Sequence, residues 1–200
     1  MVTVEKAFPS DEELILKARE NDRTAFDILH KRYRERILNY IFRFLGDYQL
    51  AEEVTQETFI RVFTHLKDFT LRGRVSSWIY TIATNLAKNV KKKDKAYTTV
   101  SIDKHILLED EEEVEFELRD TKSRPDTGVL QKEFEKDIQK AIEKLPPKYR
   151  EALILCCIQD IPYKEVAEIL RCSIRVVGIR LNRARQMLRR LIKLDLYFEK

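Results

Sequence analysis

The stretch YKEVAEILRCSIRVVGIRLNRAR, residues 163–185, decides the fold class of the second half of this chain. Apolar residues recur there at intervals of three and four, which predicts one helix from Tyr163 to Leu170 and another after Ser173. The three residues Arg171-Cys172-Ser173 separate the two helices, and the Ser173 hydroxyl can cap the second one. A short helix, a tight turn and a long basic helix predict a helix-turn-helix unit.

The second of these helices has the chemistry of a DNA-binding helix. Its predicted buried stripe consists of Val177, Leu181, Ala184, Leu188 and Leu191. Arginines elsewhere on such a helix can reach guanine edges and phosphates in a major groove. The alternative is a solvated basic helix in an all-α bundle. The candidate DNA-binding side chains are Ser173, Arg175, Arg180, Arg183 and Arg185.

The composition of the whole chain predicts a folded, all-α protein. Of its 200 residues 44% are hydrophobic and 36% are charged. The hydrophobic fraction is large enough to form a core and excludes a disordered chain. Four glycines and five prolines exclude collagen-like and low-complexity folds. The sequence has neither an apolar run long enough for a membrane span nor a signal-peptide pattern, so we expect a cytoplasmic protein without membrane insertion.

Charge divides the chain into two modules. Residues 1–93 carry a net charge of +4, residues 94–130 carry −6 and residues 131–200 carry +6. The acidic stretch has no sustained helical period, which predicts a flexible, largely extended linker between two small helical domains.

The first module is predicted to contain four helices. A capping box at Ser10 and Glu13 begins the first, and Gly46 ends the second. Asp47 can cap the third helix, whose predicted core stripe is Ala51, Val54, Thr58, Phe59, Val62, Phe63 and Leu66.

In the second module, a helix is also predicted from Tyr149 to Ile158, before the helix-turn-helix unit.

Two surfaces of the first module are candidate binding sites. The fourth helix carries Trp78, Asn85 and Lys88 behind the basic loop Arg72-Gly73-Arg74, groups that suit single-stranded bases. Trp78 lies on the apolar stripe, which favours a core position over a stacking platform. The third helix exposes an acidic face opposite its core stripe, which fits either protein docking or ordinary solvation. That face contains Glu52, Glu53, Gln56, Glu57 and Ile60.

Catalytic and metal sites find little support in the sequence. The three histidines are far apart, and the chain lacks a glycine-rich phosphate loop and a Cys-x-x-Cys metal pair. Cys156 and Cys157 lie in an apolar run, so buried structural thiols are favoured over redox sensors. Together with Cys172 they make an odd number of cysteines, and a disulfide framework is not expected.

These motifs together resemble the extracytoplasmic-function (ECF) group of bacterial RNA polymerase sigma factors. The resemblance covers nearly the whole chain outside the linker, and the order and spacing of the motifs are specific. It rests mainly on DEEL (11–14), AEEVTQETF (51–59), SWIYTIATNLA (77–87), YKEVAEIL (163–170) and RLNRAR (180–185).

The resemblance implies promoter-specific transcription initiation without catalysis, metal or cofactor. The partners that it implies are core RNA polymerase through the β′ clamp helices and β flap, promoter DNA and an anti-sigma factor. The implied core-binding residues are Asp47, Glu52, Glu53, Gln56, Glu57 and Ile60. The implied −10 DNA-binding residues are Leu71, Arg72, Gly73, Arg74, Trp78, Asn85 and Lys88, and the −35 DNA-binding residues are Ser173, Arg175, Val176, Arg180, Arg183 and Arg185.

The sequence departs from the family pattern in two places. Pro162 replaces the usual hydroxyl cap before Tyr163, which still permits a helix to start there. Where the family commonly opens the recognition helix with a Glu-Gly-Thr-Val-Lys-Ser type of sequence, this chain has IRVVGI at 174–179, so the resemblance does not predict the −35 sequence.

Two other classes of function remain open from the residues alone. One is a stand-alone helix-turn-helix regulator whose first module senses a ligand, and the other is an adaptor that binds proteins alone.

Overall fold

The computed structural model describes residues 9–70, 73–97 and 128–192. The first half contains α1 (Asp11–Arg19), α2 (Arg23–Leu45), α3 (Tyr48–Thr64) and α4 (Val75–Tyr97), with a 3-10 turn at Leu66–Asp68. The second half contains α5 (Gly128–Lys144), α6 (Pro147–Leu153), α7 (Tyr163–Ile169) and α8 (Ile174–Leu191), with a π turn at Ile154–Ile158 after α6. The described residues include no strand, and the predicted all-α fold class is confirmed.

The predicted helix ends in the first half are confirmed. Ser10 Oγ accepts a hydrogen bond from the Glu13 amide at 3.2 Å, and the Glu13 carboxylate accepts one from the Ser10 amide at 3.0 Å. At the end of α2, Gly46 has a φ of 84°, which a residue with a Cβ rarely adopts. The next residue, Asp47, accepts a hydrogen bond from the Leu50 amide at 2.9 Å and so begins α3.

Helices α1 to α4 bury a shared apolar core, and one predicted core residue lies outside it. Phe63 was predicted to be buried, but it is 53% exposed. The core stripe on α3 ends at Val62, and Leu66 in the 3-10 turn continues the core. Position 63 is rotated about 100° away from Val62. Phe63 therefore packs at the surface, with its ring centroid 5.0 Å from that of Phe26.

The second half differs from its prediction in two places. The range predicted as one helix, Tyr149 to Ile158, is helical throughout, but it changes from α6 to the π turn, in which the Gln159 amide donates to the Ile154 carbonyl at 2.9 Å. On α8 the core stripe holds through Ala184, but Leu188 is half-buried and Leu191 is 39% exposed, so the predicted stripe loses its cover over the last turns.

The two halves pack against each other. Helix α4 lies against α7, and α2 lies against α5 and the π turn. Arg150 on α6 donates to the Phe44 carbonyl at the end of α2 at 2.7 Å, and Tyr80 Oη on α4 donates to Gln159 Oε1 at 2.8 Å. Helices α4 and α5 extend into the predicted linker 94–130 at its two ends, and its remainder, 98–127, lies outside the described residues.

Candidate nucleic-acid interface

The N-terminal end of α8 projects from the second half with its cap in place. Ser173 Oγ accepts a hydrogen bond from the Val176 amide at 3.3 Å, as the sequence predicts. Val177, Leu181 and Ala184 are buried and hold the helix on the body of the protein. Arg175 and Arg183 are exposed on the opposite side, which gives this face a positive charge beside the positive end of the helix dipole.

The turn before α8 is tight and strongly bent. Arg171 has a φ of 50°, and the Cys172 amide donates to the Ala167 carbonyl at 3.0 Å. The turn leaves an open groove between α7 and α8, lined by Lys164, Ala167, Glu168, Arg171, Cys172, Ser173 and Ile174. The predicted helix-turn-helix geometry is therefore present.

The six predicted −35 residues do not all share one face. Arg185 directs its guanidinium to Cys157, with Nη2 and Sγ 3.6 Å apart. Arg180 is half-buried and interacts electrostatically with the buried Glu151. Ser173, Arg175 and Arg183 are thus exposed, whereas Arg180 and Arg185 are half-buried. Val176 is half-buried beside them.

The predicted −10 residues lie on α4 and before it, and two of them are engaged by the second half. Arg74 forms an ion pair with Glu165 on α7, whose other carboxylate oxygen accepts from Ser76 Oγ at 3.3 Å. Lys88 Nζ lies 2.8 Å from Glu151 Oε2. The predicted strand-binding side of α4 is therefore covered in part by α6 and α7.

The other predicted −10 residues vary in exposure. Gly73 and Asn85 are exposed. Trp78 is half-buried, with its ring centroid 4.9 Å from that of Phe69, so it packs on the core without being enclosed by it. Leu71 and Arg72 lie outside the described residues.

Burial perturbs the charged groups between the halves. Burial raises the pKa of the Glu151 carboxyl above its ordinary value, and the nearby Lys88 and Arg180 oppose that change. Burial also lowers the pKa of the Arg150 guanidinium, which Glu143 partly offsets. The Glu151 carboxylate and the Arg150 guanidinium have structural roles because their partners lie within the protein.

The acidic face on α3 is exposed and carries apolar residues that the sequence reasoning missed. Glu53 and Gln56 are exposed, while Glu52 lies 3.7 Å from Arg34 and Glu57 accepts from Arg61 at 2.8 Å. Ile60 and the unpredicted Tyr48 are each 57% exposed. Phe63 belongs to the same surface, and its spacing of three from Ile60 and seven from Gln56 could have placed it there. Asp47 is exposed at the cap of α3.

The cysteines differ in environment. Cys157 is exposed, Cys172 is half-buried, and burial raises the pKa of the half-buried Cys156 to about 12.

Within the described ranges, no cluster of three or more His, Cys, Asp or Glu residues could hold a metal ion. Among the helices that the structure describes, none combines the length and the hydrophobicity of a membrane-spanning segment.

Comparison of the sequence with known families gives one match in each half of the chain. Residues 29–97 match the family model for Sigma-70 region 2, and residues 135–188 match that for Sigma-70 region 4. The RNA polymerase sigma-H factor of Pseudomonas aeruginosa is 33% identical over 178 residues, which are 88% of this chain and 90% of that protein. The ECF RNA polymerase sigma factor SigW of Bacillus subtilis is 29% identical over 180 residues, which are 90% of this chain and 95% of that protein.

Solved structures share the fold. CnrH, in complex with the cytosolic domain of CnrY, matches 94% of this chain and 99% of its own with a TM-score of 0.69 and 20% identity. The sigma factor RpoE from Bartonella quintana, in complex with the anti-sigma factor NepR, matches 85% of this chain and 98% of its own with a TM-score of 0.61 and 22% identity.

Proposed function

Because this chain belongs to the ECF family of RNA polymerase sigma factors, we propose that it binds core RNA polymerase and directs transcription initiation at promoters with −10 and −35 elements. The observation that carries the DNA-binding part is α8, whose N-terminus is capped by Ser173 and whose exposed side carries Arg175 in the first turn and Arg183 two turns later. Phosphate and guanine edges are suitable ligands for such a helix end.

The two modules divide the work. Residues 1–93 bind core polymerase and recognise and melt the −10 element, and residues 131–200 recognise the −35 element. The linker 94–130 runs between them through the polymerase. The family-model matches at 29–97 and 135–188 support this division, as does the net negative charge of the segment between the modules.

The acidic face on α3 is the core-binding surface in this proposal. Exposed carboxylates next to exposed Ile60 and Phe63 combine an apolar contact area with charges that orient a basic partner. The β′ clamp helices are the proposed partner of this face, with the β flap contacted by the second module. Asp47, Glu52, Glu53, Gln56 and Glu57 supply its polar groups.

The −10 strand is held, in this proposal, by the loop before α4 and by one side of that helix. Leu71, Arg72, Gly73 and Arg74 form the pocket for an extruded base, with Trp78, Asn85 and Lys88 alongside. Exchanging this loop with that of a related sigma factor should change the preferred base while core binding survives. Permanganate footprinting of open complexes on promoters varied at each −10 position tests this, and an unchanged preference would contradict it.

Regulation by an anti-sigma factor is part of the same proposal. Its support is the shared fold with RpoE of Bartonella quintana, which was solved with the anti-sigma factor NepR. The protein acts in the cytoplasm, associated with the nucleoid when it is bound to polymerase. No catalytic residue, metal or cofactor is needed for this role.

A pull-down with core RNA polymerase separates the three classes of function. A sigma factor binds core polymerase and makes it start at defined sites. A stand-alone regulator binds duplex DNA without core polymerase, and an adaptor binds neither duplex nor single-stranded DNA. Failure to bind core polymerase would contradict the proposed function.

A further inference from the structure

Two isoleucines are exposed on the N-terminal part of α8. Ile174 is 51% exposed and Ile179 is 52% exposed. They lie on either side of Arg175 within the first two turns of the helix, and Ile179 follows Arg175 by one turn. An exposed isoleucine makes little contribution to folding, and the core stripe of this helix is formed by Val177, Leu181 and Ala184.

Gly178 is a second feature of the same part of α8 that the fold does not require. A Cβ added at Gly178 would meet no atom within 4 Å, so packing does not demand a glycine. Glycine is also less favourable than alanine inside a helix. The missing side chain therefore leaves room on the outside of the helix, beside Ile174 one turn before it.

The charge of α8 identifies the class of partner. The helix sequence IRVVGIRLNRARQMLRRL contains six arginines and no acidic residue, which suits a polyanion. Among polyanions, duplex DNA also offers an apolar group that isoleucine can contact, because the thymine methyl group projects into the major groove.

We propose that Ile174 and Ile179 read thymine methyl groups in the −35 element, while Gly178 lets the DNA approach the helix closely. Arg175, between the two isoleucines, reads a neighbouring guanine or phosphate. This inference rests on the proposed function and adds to it the chemistry by which the element is recognised. The −35 element should then contain thymines whose methyl groups matter, not a run of guanine contacts alone.

The test begins with holoenzyme assembled from the full chain and core polymerase. Promoters with a randomised −35 segment are selected for binding, and each thymine of the selected element is then replaced by deoxyuridine, which removes the methyl group and leaves base pairing intact. Replacing a contacted thymine should weaken binding about three- to fivefold, the effect expected for one buried methyl group. A selected element without thymines, or one that tolerates uracil throughout, would overturn the inference while leaving the proposed function standing.

Variants assign the effect to individual residues. Ile179→Ala or Ile174→Ala should remove the preference for thymine over uracil at one position each. Leu191→Ala, a change of an exposed apolar residue at the far end of the same helix, should leave it intact. Gly178→Ala should raise the midpoint temperature of thermal unfolding and still weaken −35 binding.

If the isoleucine variants instead lose affinity for core polymerase, while replacement of thymine by uracil weakens binding as it does for the wild type, the face binds protein and the inference is wrong. Failure to form holoenzyme at all would contradict the proposed function itself.

Discussion

Lys88 Nζ on α4 lies 2.8 Å from Glu151 Oε2 on α6, and this contact ties the two halves of the protein together. The Glu151 side chain is 3% exposed, whereas that of Lys88 is 35% exposed. A buried carboxylate is costly unless a cation compensates it, so the pair depends on Lys88. Because Lys88 is also a predicted −10 DNA-binding residue, the contact links the packing of the halves to access by DNA.

Replacing Lys88 by alanine should destabilise the protein in a pH-dependent way. The loss at pH 7 should be about 2 kcal/mol, below the typical 3 to 5 kcal/mol for a fully buried pair, because water reaches Lys88. Burial already raises the pKa of Glu151 above its ordinary 4.5, and loss of Lys88 would raise it further. Because the folded state favours the protonated Glu151 carboxyl, the free energy of unfolding falls as the pH rises from the unfolded pKa through the folded pKa. Without Lys88 the folded pKa is higher, so this fall is larger and continues to a higher pH.

Denaturant unfolding of the wild type and Lys88→Ala at several pH values measures this effect. The stability difference between them should be small near pH 4.5 and should grow toward pH 7. Lys92→Ala, an exposed position one turn further along α4, provides the control with the same change of charge. A difference that stays constant with pH would show that Lys88 does not compensate the buried carboxylate.

Glu165→Gln should increase the affinity of the free protein for single-stranded DNA. Glu165 is buried on α7 and pairs with Arg74, so its neutralisation leaves the Arg74 guanidinium available to phosphate. Glu35→Gln on the exposed side of α2 makes the same change of net charge on a helix that does not line the pocket around Arg74. Titration of a labelled thymidine dodecamer should give severalfold tighter binding for the first variant alone. An equal gain for both would mean that net charge, rather than release of Arg74, is responsible.

The double change Glu53→Lys and Glu57→Lys should weaken core polymerase binding without reducing helix content. Both residues lie on α3 opposite its core, so reversing their charge changes the surface and leaves the packing intact. Competition for core polymerase against a labelled sigma factor measures the effect. Glu35→Lys on the exposed side of α2 is the control. Unchanged affinity of the double variant would place the docking surface elsewhere.

Arg175→Ala and Arg183→Ala should affect DNA binding in different ways. Arg175 lies near the helix N-terminus, where base edges are reached, so its loss should reduce discrimination at one or two −35 positions by about 1 to 3 kcal/mol. Arg183 lies two turns further along, and its loss should weaken binding to all sequences and lower the salt dependence. Binding of holoenzyme to −35 variants at several salt concentrations tests the assignment. Matching sequence profiles and salt slopes for the two variants would refute it.

Features that depend on neighbouring residues could be predicted from the sequence. The capping box at Ser10, the left-handed Gly46 and the cap at Ser173 each involve positions within a few residues, and all three are confirmed. The exposure of Phe63 was missed because an apolar residue next to a stripe was assigned to that stripe.

Features that depend on distant contacts could not be predicted in this way. Lys88 and Glu151 are 63 positions apart, and neither position carries a local signal for the other. The same limit applies to Arg185, whose contact with Cys157 depends on how α8 packs against the π turn. The acidic segment between the modules predicted a boundary in the chain and gave no information on how the two halves meet.

The most direct test of the central claim is a transcription reaction with purified core RNA polymerase and a genomic DNA template, in which transcript 5′ ends are mapped with and without this protein. We expect that the protein alone makes no transcript, and that adding it to core polymerase produces starts at a small set of sites preceded by shared −10 and −35 elements. An unchanged pattern of starts, with the protein still bound to DNA by itself, would contradict it.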